Sequence, residues 1–359
     1  MDFKKTYSFD DVLLVPQYSE IESRTQVDIS SELDSSCYNA AAPSPPKAND
    51  FNTGITLAMP VISSPMDTVT ERHMAIAMQK AGGLGIIHRY STIEGQTEEV
   101  FKAAGSFIGP VGAAIGMTGD YFERSRSLIA AGASVLCVDV AHGHHSMMER
   151  CLKTLKDEWP DIHVMAGNVA TLEGFDALAS WGADSIRVGI GGGSICSTRM
   201  VSGHGMPTFQ SILECSRTSY DTKIIADGGI KTTGDMVKAF AAGADFVMVG
   251  SMLAGTKETP GEMFVGKEQK KYKVYRGMAS SAAQKSWRGK STTPEGVSTT
   301  VPYRGSVENI LEDIVGGIRS GLSYSGARSL AELRNKSTFI QQSSASQLES
   351  NTHILWRNK

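Results

Sequence analysis

Eight short apolar runs, most of them rich in valine and isoleucine, recur through the middle of this chain: residues 60–64, 84–88, 107–115, 134–140, 162–169, 185–190, 223–226 and 246–249. Most lack strict polar alternation, as strands covered on both faces do. Between most of them lie segments with helical spacing, at 71–81, 92–104, 120–131, 146–158, 172–181 and 232–242. Several of these segments end in a small-residue signature, Ala130-Ala131-Gly132-Ala133, Trp181-Gly182-Ala183-Asp184 and Ala242-Gly243-Ala244-Asp245. Glycine there fits a helix C-cap that turns straight into the next strand. The alternation predicts an α/β fold, a closed (β/α)8 TIM barrel formed as a single domain over 1–359. An open doubly wound sheet is the competing architecture. Two details favour the barrel. Polar and glycine-rich motifs sit at the ends of at least five strands, whereas an open sheet offers one switch point. The last two strands also end in Asp227-Gly228-Gly229 and Gly250-Ser251, where barrels usually bind phosphate.

Three segments fall outside the pattern. Residues 35–53 form a Pro/Ala/Asn-rich insertion, 256–304 are too long and polar for a plain connection, and 336–359 read as a polar tail. A long loop after the eighth strand of a compact domain is expected to be an active-site flap.

Composition narrows the partners. A net charge of −3 leaves no footprint for nucleic acid or an anionic membrane. No apolar run approaches the roughly 18 residues of a spanning helix, and the first residues do not read as a signal peptide. Five cysteines, an odd number without a CxxC pair, fit reduced thiols in a cytoplasmic protein better than a disulfide framework or a zinc cluster.

The chemistry gathers at strand ends. Residues 188–199, Val-Gly-Ile-Gly-Gly-Gly-Ser-Ile-Cys-Ser-Thr-Arg, open from an apolar run into a loop of glycines around one cysteine. A thiol held there, with Thr198 as a proton handler, suits covalent attack on an electrophilic carbon, so Cys196 is the candidate nucleophile. A flexible loop with an incidental cysteine is the plainer reading. Asp227 before two glycines suits a ribose diol and a phosphate, or else caps the helix starting near Thr232. Asp139 precedes Val140, Ala141 and three histidines whose spacing matches no standard zinc pattern, so a flat ligand ring is favoured over a metal. Glu295-Gly296 in the flap either handles a proton or is a solvated loop glutamate. Tyr275 offers a phenolic donor, and Arg24 and Arg89 are basic groups able to meet a 2′-phosphate or stay solvated.

Taken together, the motifs resemble the IMP dehydrogenase / GMP reductase family over nearly the whole chain. The matching segments are Phe9-Asp10-Asp11-Val12-Leu13-Leu14, Ser64-Pro65-Met66-Asp67, Ala166-Gly167-Asn168-Val169, 188–199, 226–230, 247–251 and Tyr275-Arg276-Gly277-Met278. One departure lies in the signature loop, where Gly192 stands in place of the family's usual proline. The resemblance implies a (β/α)8 enzyme, usually a homotetramer, acting on purine nucleotides. Cys196 would form a thioimidate at purine C2, with Thr198 and Glu295 moving protons. Ser64, Met66, Ser194, Asp227, Gly228, Gly229, Gly250, Ser251, Tyr275, Gly277, Met278, Ala279 and Gly296 would hold GMP or IMP. Asp139, Val140, Ala141, Ile190 and Gly191 would line the nicotinamide site. Carbonyls near Gly191, Gly193 and Cys196 resemble a potassium (K+) site.

Within the family the chain looks closer to GMP reductase, an NADPH enzyme, than to NAD-dependent IMP dehydrogenase. The regulatory insert usual in dehydrogenases after the second strand is missing. The dehydrogenases' Arg-Tyr pair, which activates water, is replaced by Arg288-Gly289, and Met278-Ala279-Ser280-Ser281 resembles reductases. Ser194-Ile195-Cys196, 226–230, Val249-Gly250-Ser251-Met252 and 258–262 lean the other way, and Trp287 matches neither branch well.

Overall fold

Strands covered on both faces hide their period of two in sequence, and pairing brings it out. In a computed structural model, which describes residues 3–34, 54–106, 108–266 and 269–350, all eight runs contain a strand. They are β1 (Val61–Ser63), β2 (Leu84–Ile87), β3 (Val111–Ile115), β4 (Val135–Asp139), β5 (His163–Val169), β6 (Ser185–Val188), β7 (Lys223–Asp227) and β8 (Phe246–Val249). They form a closed barrel in chain order, with β8 pairing in parallel back onto β1. Closure rules out the open sheet. Leu84 and Ile86, Val135 and Cys137, and Phe246 and Met248 join one interior cluster, while Ile87, Leu136, Val138, Val247 and Val249 pack in the layer under the helices.

A short antiparallel pairing of Ser31–Glu32 with Thr56–Leu57 adds Leu33 and Leu57 to the interior cluster. His163, at the start of β5, bonds Asp34 at 3.0 Å, so this pair plugs the N-terminal end of the barrel. The insertion joining its two halves, 35–53, lies outside the described residues. The opposite end stays free for a site.

The principal helices are α1 (Arg72–Lys80), α2 (Ile93–Ala104), α3 (Tyr121–Ala130), α4 (Ser146–Glu158), α5 (Leu172–Ser180), α6 (Thr208–Cys215), α7 (Thr233–Ala241) and α8 (Val307–Tyr324). Side chains of Thr92, Thr171, Thr232 and Ser306 accept backbone N–H groups at the starts of α2, α5, α7 and α8. Gly132, Gly182 and Gly243 follow α3, α5 and α7 at φ of 101°, 101° and 118°, the left-handed stop that the sequence signature suggested.

Two segments are more ordered than expected. The flap carries a three-stranded antiparallel sheet, β9 (Phe264–Val265), β10 (Lys271–Arg276) and β11 (Ser298–Pro302), and a helix, Ser281–Arg288. Within the polar tail, Phe339–Gln341 pairs antiparallel with Val12–Leu14. Phe339 packs edge-on against Phe209 at 5.1 Å, which gives an otherwise polar segment an apolar anchor.

Candidate active site

Strand β6 stops where its backbone meets β7. Gly189 adopts φ 145°, and a Cβ there would stand 2.0 Å from the Asp227 carbonyl oxygen. The chain then crosses the barrel mouth as the cysteine loop. Cys196 donates its backbone N–H to the Gly193 carbonyl at 3.1 Å, and its Sγ donates to Thr198 Oγ1 at 3.2 Å. Cys196 is the exposed thiol among the described residues. Burial pushes Cys137, Cys151 and Cys215 up to about 12, leaving them protonated and inert.

The flap is hydrogen-bonded to this loop. Ser197 N–H donates to the Glu295 carbonyl at 2.9 Å, Val297 N–H to Ile195 at 3.0 Å, and Glu295 N–H to Ala279 at 3.1 Å. Cys196 and Gly296 pair as an isolated bridge. Residues a hundred positions apart in the chain thus meet around one sulfur.

Beside them a polar pocket floor forms. Tyr275 Oη lies 3.4 Å from Ser194 Oγ. Burial raises its phenol above the usual range, against the lowering effect of the Ser194 and Ser251 hydroxyls, so it stays a neutral donor. A Cβ on Gly250 would lie 3.0 Å from Met66 Sδ and 3.4 Å from both Ser64 Oγ and Tyr275 Oη. Gly228 abuts Gly193, where a Cβ would be 3.1 Å from the Gly193 nitrogen. An Arg276–Asp67 ion pair at 2.6 Å fixes the strand end leading to Gly277 and Met278. The Asp67 N–H in turn donates to Met278 Sδ at 3.2 Å.

Asp139 and Asp227, read separately in the sequence, are joined by a residue that reading missed. Arg187, only 7% exposed, bonds Asp139 Oδ1 at 2.5 Å and Asp227 Oδ2 at 2.8 and 3.0 Å. Burial opposes its charge, but Asp227 and Asp139 more than offset this and hold the guanidinium firmly protonated. Asn168 adds a 2.8 Å bond to the same Asp227 oxygen. An arginine inside an apolar strand was the available signal, since a buried charge requires partners. The capping reading of Asp227 fails, because Thr232 and Asp235 close their own capping box on α7.

Toward β2–β4 a cleft of about 460 Å3 opens, lined by Arg89, Met117, Thr118, Val140, Trp287 and Arg288 among others. Arg89 donates to the Asp139 carbonyl at 3.3 Å, while its buried Nε has no partner among the described residues. Tyr90 stacks on Trp287 at 5.9 Å, docking the flap helix on the barrel rim. Arg24 is not brought here: it lies exposed in the turn Arg24–Gln26, which packs against α8. Of the three histidines after Ala141, His145 caps α4 by accepting the Met147 N–H at 3.1 Å and His144 lies near Trp181. A second cleft, at the opposite end of β7 and β8, is lined by charges already paired, Arg334 with Asp245 and Lys223 with Asp221.

The potassium expectation fits this loop poorly. The Gly193 carbonyl already accepts the Cys196 N–H. The Arg199 side chain covers Gly191, where a Cβ would be 2.9 Å from its Nε. A guanidinium there disfavours a second cation beside it.

A sequence model of the IMP dehydrogenase / GMP reductase domain matches residues 6–353. Inosine-5′-monophosphate dehydrogenase of Nitrosopumilus maritimus is 34% identical over 490 aligned positions, covering 98% of this chain and 99% of the relative. That of Cryptosporidium parvum is 37% identical over 404 positions, covering 97% and 95%. A solved GMP reductase variant from Trypanosoma brucei, in complex with guanosine 5′-monophosphate, superposes with a TM-score of 0.88 at 29% identity, covering 98% of both chains.

Proposed function

The chain belongs to the IMP dehydrogenase / GMP reductase family of oxidoreductases, and on that footing we propose that it is a GMP reductase, converting GMP and NADPH to IMP, ammonia and NADP+. The observation that carries this reading is the end of the flap helix. Arg288 is followed by Gly289, which caps the helix at φ 72°. A glycine there supplies no phenol for the water-activating Arg-Tyr pair, so a covalent purine intermediate lasts until hydride arrives. The missing insert carries less weight. The C. parvum dehydrogenase aligns over 404 positions against 490 for the N. maritimus enzyme, so a dehydrogenase too can lack much of it. The GMP held by the T. brucei neighbour supports the substrate.

In this reading Cys196 Sγ bonds to C2 of GMP while the C2 amine takes a proton and departs as ammonia. Thr198 Oγ1, at 3.2 Å from the sulfur, takes the thiol proton, and Glu295 carries a proton to the amine. When bound, the reduced nicotinamide supplies the hydride that C2 accepts as the C–S bond breaks. Arg187 and Asn168 both act on Oδ2 of Asp227, which leaves Oδ1 for the ribose hydroxyls. Backbone N–H groups at Gly228, Gly229, Gly250 and Ser251, with Tyr275 and Ser194, hold the phosphate. Met278, Ala279 and Gly296 meet the base, and Ser64, Met66 and Gly277 line its surroundings. Binding energy from the phosphate positions C2 over the sulfur. Asp139, Val140, Ala141, Ile190 and Gly191 line the nicotinamide side. The orphaned Arg89 Nε fits an anionic ligand in the adjoining cleft, where Arg89 and Arg288 take the cofactor phosphates. A homotetramer remains part of this reading. No helix among the described residues is long and apolar enough to cross a membrane.

The test is the nicotinamide absorbance in two separate mixtures. Loss of signal with GMP and NADPH, and no gain with IMP and NAD+, is expected; the reverse result assigns the chain to the dehydrogenases. Arg288→Gln is expected to raise the dinucleotide KM about tenfold, the order of one lost charged hydrogen bond, with the GMP KM within threefold. An unchanged dinucleotide KM removes Arg288 from that cleft's role.

A further inference from the structure

Gly192 interrupts the family pattern, and its surroundings show what keeps a side chain out. Its backbone is not in the left-handed region, so conformation alone accepts other residues. Space does not: a Cβ at 192 would stand 2.6 Å from Oγ1 of Thr208. Thr208 opens α6, is 3% exposed, and its hydroxyl has no partner among the described residues. The same oxygen would lie 3.2 Å from a Cβ at 189 and 3.6 Å from one at 229. It therefore stands at the joint between the loop that carries Cys196 and the loop that carries Gly228 and Gly229. An unpaired buried hydroxyl is destabilising as a polar group, which leaves bulk as what it contributes. Threonine suits that use, because branching at Cβ fills two of its three staggered positions and makes it stiff.

We propose that Thr208 is a positioning residue, a wedge that sets the Cys196 loop against the Asp227–Gly229 loop, and that positions 192 and 208 form one coupled pair. The inference rests on the covalent role given to Cys196. Gly192→Ala overfills the joint and Thr208→Ala empties it, while the double variant adds back one of the two heavy atoms that Thr208→Ala removes. Each single change is expected to slow both kcat and Cys196 alkylation by iodoacetamide about tenfold, as sub-ångström misplacement of a reacting group does, with the GMP KM within threefold. The double variant recovers both rates to within about threefold, because the methyl at 192 refills part of the space that Thr208→Ala vacates. Thr208→Val, which keeps the bulk and drops the hydroxyl, matches the parent in alkylation. Single losses that simply multiply in the double variant overturn the proposal, as does a Thr208→Val enzyme as slow as Thr208→Ala. If Gly192→Ala does not fold, the double variant decides: recovered folding supports the coupling and continued unfolding refutes it. Alkylation requires no turnover, so an inactive parent in both nicotinamide assays sinks the reductase reading while this series still reports on the wedge.

Discussion

Cys196→Ala is expected to lower kcat by about 10⁴-fold or more, the order lost when a covalent nucleophile is removed, while GMP still binds within about threefold. The reasoning is local. Among the described residues the other thiols are buried and pushed up to about 12, so none substitutes for the exposed one. In the proposed reading most phosphate and ribose contacts come from other loops, at Asp227, Gly250 and Tyr275, and the substitution removes none of them. Equilibrium binding of GMP, measured beside single-turnover kinetics, separates the two effects. A variant that keeps a tenth of the parent rate contradicts covalent catalysis at this position.

Arg187→Met carries the second large effect. The guanidinium is buried and bridges two carboxylates that belong to different halves of the proposed site. Its removal leaves Asp139 and Asp227 partly buried without their counter-charge, a change that typically costs about 3–5 kcal/mol. Both groups are predicted to suffer in function too, with higher KM values for nucleotide and dinucleotide together. Urea unfolding measures the first part and steady-state kinetics the second. Adding Asp139→Asn and Asp227→Asn to the same chain is expected to recover part of the stability, because the stranded charges go. A loss below about 1 kcal/mol in the single variant, the scale of an exposed pair, contradicts a charge bridge at this point.

Periodicity made the barrel legible, because each apolar run needed only to be recognised as a strand covered on both sides. Its details were less so. The inward and outward alternation of Leu84, Ile86 and Ile87 exists only once the ring closes. Helix α6 follows Pro207 after a glycine-rich loop and shows no long apolar period to announce it. The cysteine loop, the two glycine motifs and the flap glutamate were readable because glycine beside a reactive side chain is a strong local signal. Their meeting was not, since it depends on the backbone bonds between Ser197 and Glu295 and between Ile195 and Val297. Arg187 was hidden for the opposite reason: one charge in an apolar strand reads as noise until its two partners arrive from β4 and β7. Arg24 shows the limit of a charge read without a fold, for it ends in the outer helical layer.

The most direct measurement is mass spectrometry of the enzyme quenched while GMP and NADPH are turning over. The peptide containing Cys196 is predicted to carry the mass of a purine nucleotide that has lost its C2 amine, in an amount that rises when hydride transfer is slowed. Steady turnover with that peptide unmodified, or the adduct on any other residue, contradicts the account.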